Sequence, residues 1–303
     1  MIDRARELTA TAKELLNSSD DERVGSLSRE PFVSYGTAKR ILIRMNALLH
    51  SPRSHRPASM LIAGATNNGK TMLVRRFTDA NLPVHDEDAD AVICPVIYIQ
   101  MPPTPDARQF YLAILEKLHV PIQRTAVLSH VQAQTLKICK IVGLKVLIID
   151  ELHNIHGGRI EQQRYFLNLL RYISNELEIH IIGCGLASAL RALQSDEQLT
   201  NRFEHWPLPI WKNDKACKVL LNTIESTLPL RRQSSLSETE MIERILGLSG
   251  GTIGEIVRLI REAAETAIRS GAERIDTNLL DGLGWVAPEN RRRAAEAVLG
   301  HRG

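Results

Sequence analysis

Short, mostly aliphatic runs alternate along this chain with longer stretches in which apolar positions return every three or four residues. The runs are Met60-Leu-Ile-Ala63, Val96-Ile-Tyr-Ile99, Val146-Leu-Ile-Ile149 and Ile179-His-Ile-Ile182. Hydrophobicity that is continuous, not alternating, predicts parallel strands covered on both faces. Helical spacing predicts helices over 37–51 (Ala38, Ile41, Leu42, Met45, Leu48, Leu49), 107–118 behind an Asp106 cap, 126–141, and 159–177, where Phe166, Leu169, Leu170 and Ile173 share a face. Strands that alternate with helices in this way specify an α/β fold with a parallel sheet flanked by helices. Trp206-Pro-Leu-Pro-Ile210 reads as the last strand. Beyond Lys212 only helices follow: one capped by Asp214, one opened by a Ser-x-x-Glu box at Ser237, one over 252–270, and one capped by Asp276. Residues 1–30 are too polar for a core of their own and read as an arm. Gly157-Gly158 reads as a flexible joint, and the tail from Pro288, with Arg291-Arg-Arg293, as exposed.

The first strand runs straight into Gly64-Ala-Thr-Asn-Asn-Gly-Lys-Thr71, a Gly-x-x-x-x-Gly-Lys-Thr loop, and then into an apolar helix pattern. Glycine-bearing turns let backbone N–H groups converge on phosphate oxygens, and the following helix points its positive end at the same place. The loop therefore nominates Gly64, Ala65, Thr66, Asn67, Asn68, Gly69, Lys70, Thr71 and Met72 as nucleotide-binding residues. Lys70 would reach the β and γ phosphates, and the Thr71 hydroxyl would take a Mg²⁺ position. About eighty residues on, the buried strand of 145–149 ends in Asp150-Glu151, at the strand tip where open α/β sheets bind ligands. Asp150 is the second candidate metal ligand. Glu151 is the candidate base for the water that attacks the γ phosphate. His153 either senses phosphate or hydrogen-bonds within its loop.

Composition adds limits, not chemistry. A hydrophobic share of 44% and a charged share of 24% suit a soluble globular chain with a full core. No run approaches a membrane span, and the N-terminal residues show no apolar signal region, so the expectation is a cytoplasmic protein without a membrane partner. Cys94, Cys139, Cys184 and Cys217 are widely spaced among apolar residues and read as buried free thiols. The net charge of +3 is mild, but no acid falls between Glu30 and Asp79 while eight lysines and arginines do, among them Lys39, Arg40, Arg44, Arg53 and Arg56. Either an anionic partner meets this stretch, or acids from elsewhere balance it.

The P-loop, the strand-tip Asp-Glu, an arginine after the core's fourth helix and a helical lid together resemble the AAA+ ATPases. More closely, 36–285 resembles the TniB family of transposition proteins, relatives of TnsC and MuB. The residues that carry this are Gly64–Thr71 as quoted, Ile149-Asp-Glu-Leu-His-Asn154, Ile182-Gly-Cys-Gly185, Asn201-Arg-Phe203 and Ser249-Gly-Gly-Thr-Ile-Gly-Glu-Ile256. The resemblance implies a P-loop NTPase of AAA+ type: an N-terminal arm and basic helix over 1–56, a nucleotide-binding core over 57–210, a helical lid over 211–285 and a tail over 286–303. It implies ATP and Mg²⁺ as cofactors, and ATP-driven assembly into a ring or helical filament of identical subunits on double-stranded DNA of any sequence. It further implies a transposase and a TniQ-like target selector as partners, with hydrolysis dissolving the assembly. Arg202 would reach a neighbour's γ phosphate as an arginine finger.

Two departures from the AAA+ pattern imply slow hydrolysis. The tip of the strand after Asp-Glu reads Gly183-Cys184-Gly185 with no polar sensor, and the lid's Gly-x-x-Arg position falls on Gly254, with Arg258 one turn on. Arg108, Arg124, Lys137 and Lys140 are candidate DNA contacts by charge and position. The alternatives are a helicase loader of DnaC or IstB type or another AAA+ DNA-remodelling switch, and a nucleotide-binding scaffold that never cleaves. A GTPase is disfavoured, because Trp211-Lys-Asn-Asp214 misses the guanine motif at its first position.

Overall fold

Three helices precede the sheet: α1 (Ala10–Leu15), α2 (Asp20–Leu27) and α3 (Gly36–Leu49). The strands are β1 (Ser59–Ala63), a short hairpin of β2 (Val84–Asp86) and β3 (Ala91–Ile93), then β4 (Val96–Gln100), β5 (Val146–Asp150), β6 (His180–Gly185) and β7 (Phe203–Pro207). Five of them form one parallel sheet in the order β4-β5-β6-β1-β7. The structure is a computed structural model and describes residues 7–28, 32–86, 91–122, 125–194 and 196–291. By contact pattern the chain forms two units, Thr37–Leu208, and Met1–Gly36 with Pro209–Gly303.

In the first unit, every residue of β5 and β6 is buried, as the continuous aliphatic runs require. The covering helices are α4 (Lys70–Asp79), α5 (Ala107–Lys117), α6 (Leu128–Ile141), α7 (Ile160–Leu177), α8 (Ala187–Gln194) and the single turn α9 (Glu197–Thr200). Phe110 of α5 meets Phe166 of α7 edge-on, with ring centroids 5.2 Å apart, in one core with Ile97, Leu147, Ile149 and Ile181. Asp106 caps α5 through the Gln109 N–H at 2.8 Å, as its position predicted. The four cysteines are buried and free.

Two expectations are corrected, and one open alternative is met in part. The last strand is Phe203–Pro207, about three residues earlier than 206–210, because Phe203 pairs with Ser59 and the prolines at 207 and 209 cannot donate to a ladder. The joint at Gly157-Gly158 is a close approach: a Cβ on Gly157 would stand 2.5 Å from the Pro103 carbonyl oxygen, and one on Gly158 2.5 Å from the Pro105 ring. Part of the acid-free stretch is balanced from elsewhere, since Arg44 grips both oxygens of Glu204.

In the second unit, α10 (Lys215–Thr227), α11 (Thr239–Ser249), α12 (Ile253–Arg269) and α13 (Thr277–Gly282) build a core around Leu221, Ile245, Ile256, Leu259 and Ile260. The described part of the expected arm, residues 7–28, does not hang free. Val24, Leu27, Val33 and Tyr35 pack on that core, and the Arg23 side chain is fully buried, with Glu273 and Asp20 each 2.7 Å from its Nη2. Ser237 forms no box; α11 starts at Thr239, behind Glu238, without a side-chain cap. Arg291 is engaged rather than exposed tail: it pairs with both oxygens of Glu255 and lies over the Trp285 ring. Arg292 and Arg293 lie outside the described residues.

Candidate nucleotide site

The site is built where β1 stops. Two residues of the following loop, Asn67 (φ 56°) and Gly69 (φ 80°), take left-handed backbone, which turns the chain back into α4. Gly64 opens the loop, with its N–H donating to the Gly185 carbonyl at 3.1 Å. A Cβ there would come within 3.1 Å of the Leu208 Cβ, so the residue leaving β7 presses on the loop's first turn. Gly69 occupies the N-cap of α4 without any side-chain cap. The first N–H groups of α4 are thus left for a ligand, at the positive end of the helix.

Lys70 is 7% exposed, and its ammonium donates to the carbonyls of Gly64 (2.9 Å) and Ala65 (2.7 Å). Burial holds its pKa below the usual lysine value, against the opposing charges of Glu151 and Asp150. The Thr71 hydroxyl donates to Asp150 Oδ2 at 2.8 Å, so the two expected metal ligands meet across about eighty residues of chain. Asp150, 2% exposed, also accepts the Glu151 N–H on Oδ1 at 2.9 Å. Glu151 itself sits in left-handed backbone (φ 55°), with its Oε2 3.2 Å from Nε2 of His153. Residues 66–72, Glu151, His153 and Leu186 line a cavity of about 220 Å³. A hydroxyl and a carboxylate oxygen, hard donors already side by side, fit Mg²⁺.

A profile of the family described as "Bacterial TniB protein" matches residues 23–213. The chain belongs to the TniB family. No match exists among curated protein sequences. Among solved structures the TniB-family chain is similar to the Aeropyrum pernix ORC1 protein in complex with DNA, at 19% identity and a TM-score of 0.62, over 91% of this chain and 71% of that one. The Aeropyrum pernix ORC2 protein, in ADPNP–ADP complexes, gives 18%, 0.59, 86% and 70% on the same measures. Domain III of the Thermotoga maritima replication initiation protein DnaA gives 14%, 0.50, 85% and 95%. The fold is that of the AAA+ ATPases.

Not every predicted residue of this TniB-family chain joins the loop. Arg202 lies at the opposite end of the sheet: its carbonyl accepts the N–H of Ser59, the first residue of β1, and its Nη1 donates to Asn175 Oδ1 at 2.6 Å. Five residues of strand, roughly 13 Å at about 3.3 Å per residue, separate that end from the P-loop. Burial, with Arg56 and Arg171 nearby, lowers the Arg202 pKa. Arg258 lies over the Trp285 ring at 5.3 Å. Of the suggested DNA contacts, Arg108 holds the Ala126 carbonyl at 2.6 Å and Lys140 pairs with Glu176 at 2.7 Å. Lys137 is exposed, and Arg124 lies outside the described residues.

Tyr98 was missed by the sequence reading. Its hydroxyl donates to Asp150 Oδ2 at 3.0 Å, and burial together with the Asp150 charge pushes its pKa well above the usual phenol value. The one available signal was a hydroxyl-bearing residue inside the otherwise aliphatic run Val96-Ile-Tyr-Ile99.

Among the described residues no helix is long and apolar enough to cross a membrane.

Proposed function

We propose that this chain is an ATP-dependent DNA-binding regulator of transposition, which assembles on target DNA of any sequence and engages a transposase, with hydrolysis releasing the assembly. The observation that carries this is the 2.8 Å contact of Thr71 with Asp150 beside a buried lysine whose hydrogen bonds, among the described residues, go to its own loop's carbonyls. Membership of the TniB family supports the transposition role, and the DNA-bound and nucleotide-bound states named for the two ORC proteins support the ligands.

Lys70 and the open N–H groups of α4 would bind the β and γ phosphates, Lys70 exchanging two neutral carbonyls for anionic oxygens. Thr71 and Asp150 would hold Mg²⁺, which supplies charge neutralisation on the phosphates when bound. In hydrolysis a water oxygen bonds to the terminal phosphorus as that phosphorus parts from the bridging oxygen of ADP. Glu151 takes the water's proton. Arg202, too far from its own loop, would serve the triphosphate of an adjoining copy, which makes the nucleotide an adhesive between subunits.

The test is sedimentation and electron microscopy with duplexes of unrelated sequence, with and without a non-hydrolysable ATP analogue. Ordered assemblies are expected only with both ligands. Lys70→Ala, which removes two charge-assisted hydrogen bonds, should weaken ATP binding by about 10²-fold or more and abolish assembly. Equal coating of DNA by wild type and Lys70→Ala would overturn the reading.

A further inference from the structure

The tip of β6 carries glycine where the AAA+ pattern has a polar side chain, and the structure gives a physical reason. A Cβ on Gly183 would stand 2.5 Å from Cδ2 of Leu152, and one on Gly185 would stand 3.1 Å from the Ala189 Cβ, 3.2 Å from the backbone nitrogen of His153 and 3.4 Å from its Nδ1. Gly183 therefore makes room for the turn that follows β5, and Gly185 for that turn and for α8 together. Leu152 fills the first space and is fully buried. The imidazole of His153 lies in van der Waals contact with the second, beside Ala189, and is on the wall of the same cavity as Lys70, Thr71 and Glu151.

We infer that His153 is the positioning residue of the hydrolytic site, holding the Glu151 carboxylate toward the attacking water. This rests on the nucleotide reading above. The Nε2 is 3.2 Å from Glu151 Oε2, while Nδ1 is buried with no hydrogen-bond partner among the described residues. A ring so placed has one direction of use, toward the carboxylate and the cavity. Glu151 needs such a holder. It follows a strand in left-handed backbone and has its main chain pinned by Asp150 Oδ1 and the Asn154 N–H, but its carboxylate is a third exposed. A free carboxylate on three side-chain torsions would sample many orientations, and a base displaced by about 1 Å can lose about 10²-fold in rate. The polar contact absent from the β6 tip is thus supplied from β5's own turn.

The experiment compares steady-state and single-turnover ATP hydrolysis by the full chain with DNA, for wild type, His153→Leu and His153→Gln. Leucine keeps bulk without a donor, whereas glutamine restores an N–H at comparable reach. His153→Leu should lower kcat by about 10- to 100-fold with KM and fluorescent-ATP affinity within about threefold, and His153→Gln should recover most of the loss. In a Glu151→Gln background, His153→Leu should change the residual rate by less than about twofold, because its effect passes through the carboxylate. An unchanged or raised kcat in His153→Leu, no rescue by glutamine, or an undiminished effect in the Glu151→Gln background would each overturn the inference. If His153→Leu fails to fold, His153→Gln in both backgrounds decides: near-wild-type kcat supports it, and a loss that persists without Glu151 sinks it. Wild type that neither binds nor cleaves ATP would overturn the nucleotide reading with it.

Discussion

Two carboxylates buried in this chain are treated in opposite ways. Glu273, in the helical unit, accepts both Nη groups of Arg23 (2.7 and 2.8 Å), with the N–H and guanidinium of Arg231 added at 3.0 and 2.9 Å. Asp150, in the sheet unit, accepts from neutral donors among the described residues: two hydroxyls and one backbone N–H. The cations differ in the same sense. Arg23 also reaches the Pro229 carbonyl and Asp20, and its pKa is raised, chiefly by its hydrogen bonds to Glu273. Lys70 has two neutral carbonyls, and its pKa is lowered by burial. A buried charge closed by its opposite is architecture. One left on neutral partners retains most of its attraction for a ligand that brings the missing sign.

The largest expected effect separates the two directly. Arg23→Ala leaves Glu273 buried without its main partner, and breaking such a pair costs about 3–5 kcal/mol. Urea unfolding of the helical unit's transition reads it. The same pair sets an acid limit. Hydrogen bonds from Arg23 hold the Glu273 carboxyl below the ordinary range. A depressed folded pKa contributes stability that is present above the unfolded value, about 4.3, and is lost as pH falls through the folded one. Stability should therefore drop below about pH 4.3, and Glu273→Gln, weaker at neutral pH, should show a shallower acid limb. An acid limb equally steep in both proteins would remove Glu273 from the structural side of the comparison.

Sequence spacing exposed the sheet side of this contrast and hid the other. The aliphatic runs and the eight-residue loop are local patterns, so β1, β4, β5, β6, Lys70, Thr71 and Asp150 were all legible from neighbours a few residues away. The Arg23–Glu273 pair joins residues 250 positions apart and looks, in one dimension, like two ordinary surface charges. The N-terminal segment was read as an arm for that reason. Gly157, Gly158, Gly183 and Gly185 suggest freedom or absence in the sequence, whereas each is required by what presses against it. Tyr98 and His153 carry little signal in one dimension because their importance lies in register: Gln100 pairs with Asp150 in the sheet, which sets Tyr98 near the Asp150 carboxylate, and Gly185 lets Ala189 and His153 approach the β6 tip together.

A smaller effect tests whether Asp150 is as loosely held as its donors suggest. Tyr98→Phe removes one of two hydroxyls on Oδ2 and should cost about 0.5–1.5 kcal/mol of stability without nucleotide. Because Thr71 remains, Mg²⁺-dependent nucleotide affinity should shift by less than about tenfold, measured by fluorescent-ATP titration at several Mg²⁺ concentrations. A loss near that of Arg23→Ala would mean that Asp150 is fixed as firmly as Glu273.

The smallest expected change is the most discriminating. Lys70→Met removes a buried cation that hydrogen-bonds to two loop carbonyls and feels Glu151 and Asp150 only through space, and it keeps an unbranched apolar stem. Gly64 and Ala65 are at least partly exposed, so water can take over their carbonyls. Unfolding stability without nucleotide should then stay within about 1 kcal/mol of wild type, in either direction, since a site kept ready for a ligand is not optimised for the empty fold. With Mg²⁺ and ATP at about 100 times the wild-type Kd, wild type should gain about 2.7 kcal/mol by mass action, and Lys70→Met almost none. A ligand-free loss in Lys70→Met as large as that in Arg23→Ala would show the lysine to be architecture after all, and the distinction between the two buried charges would fail.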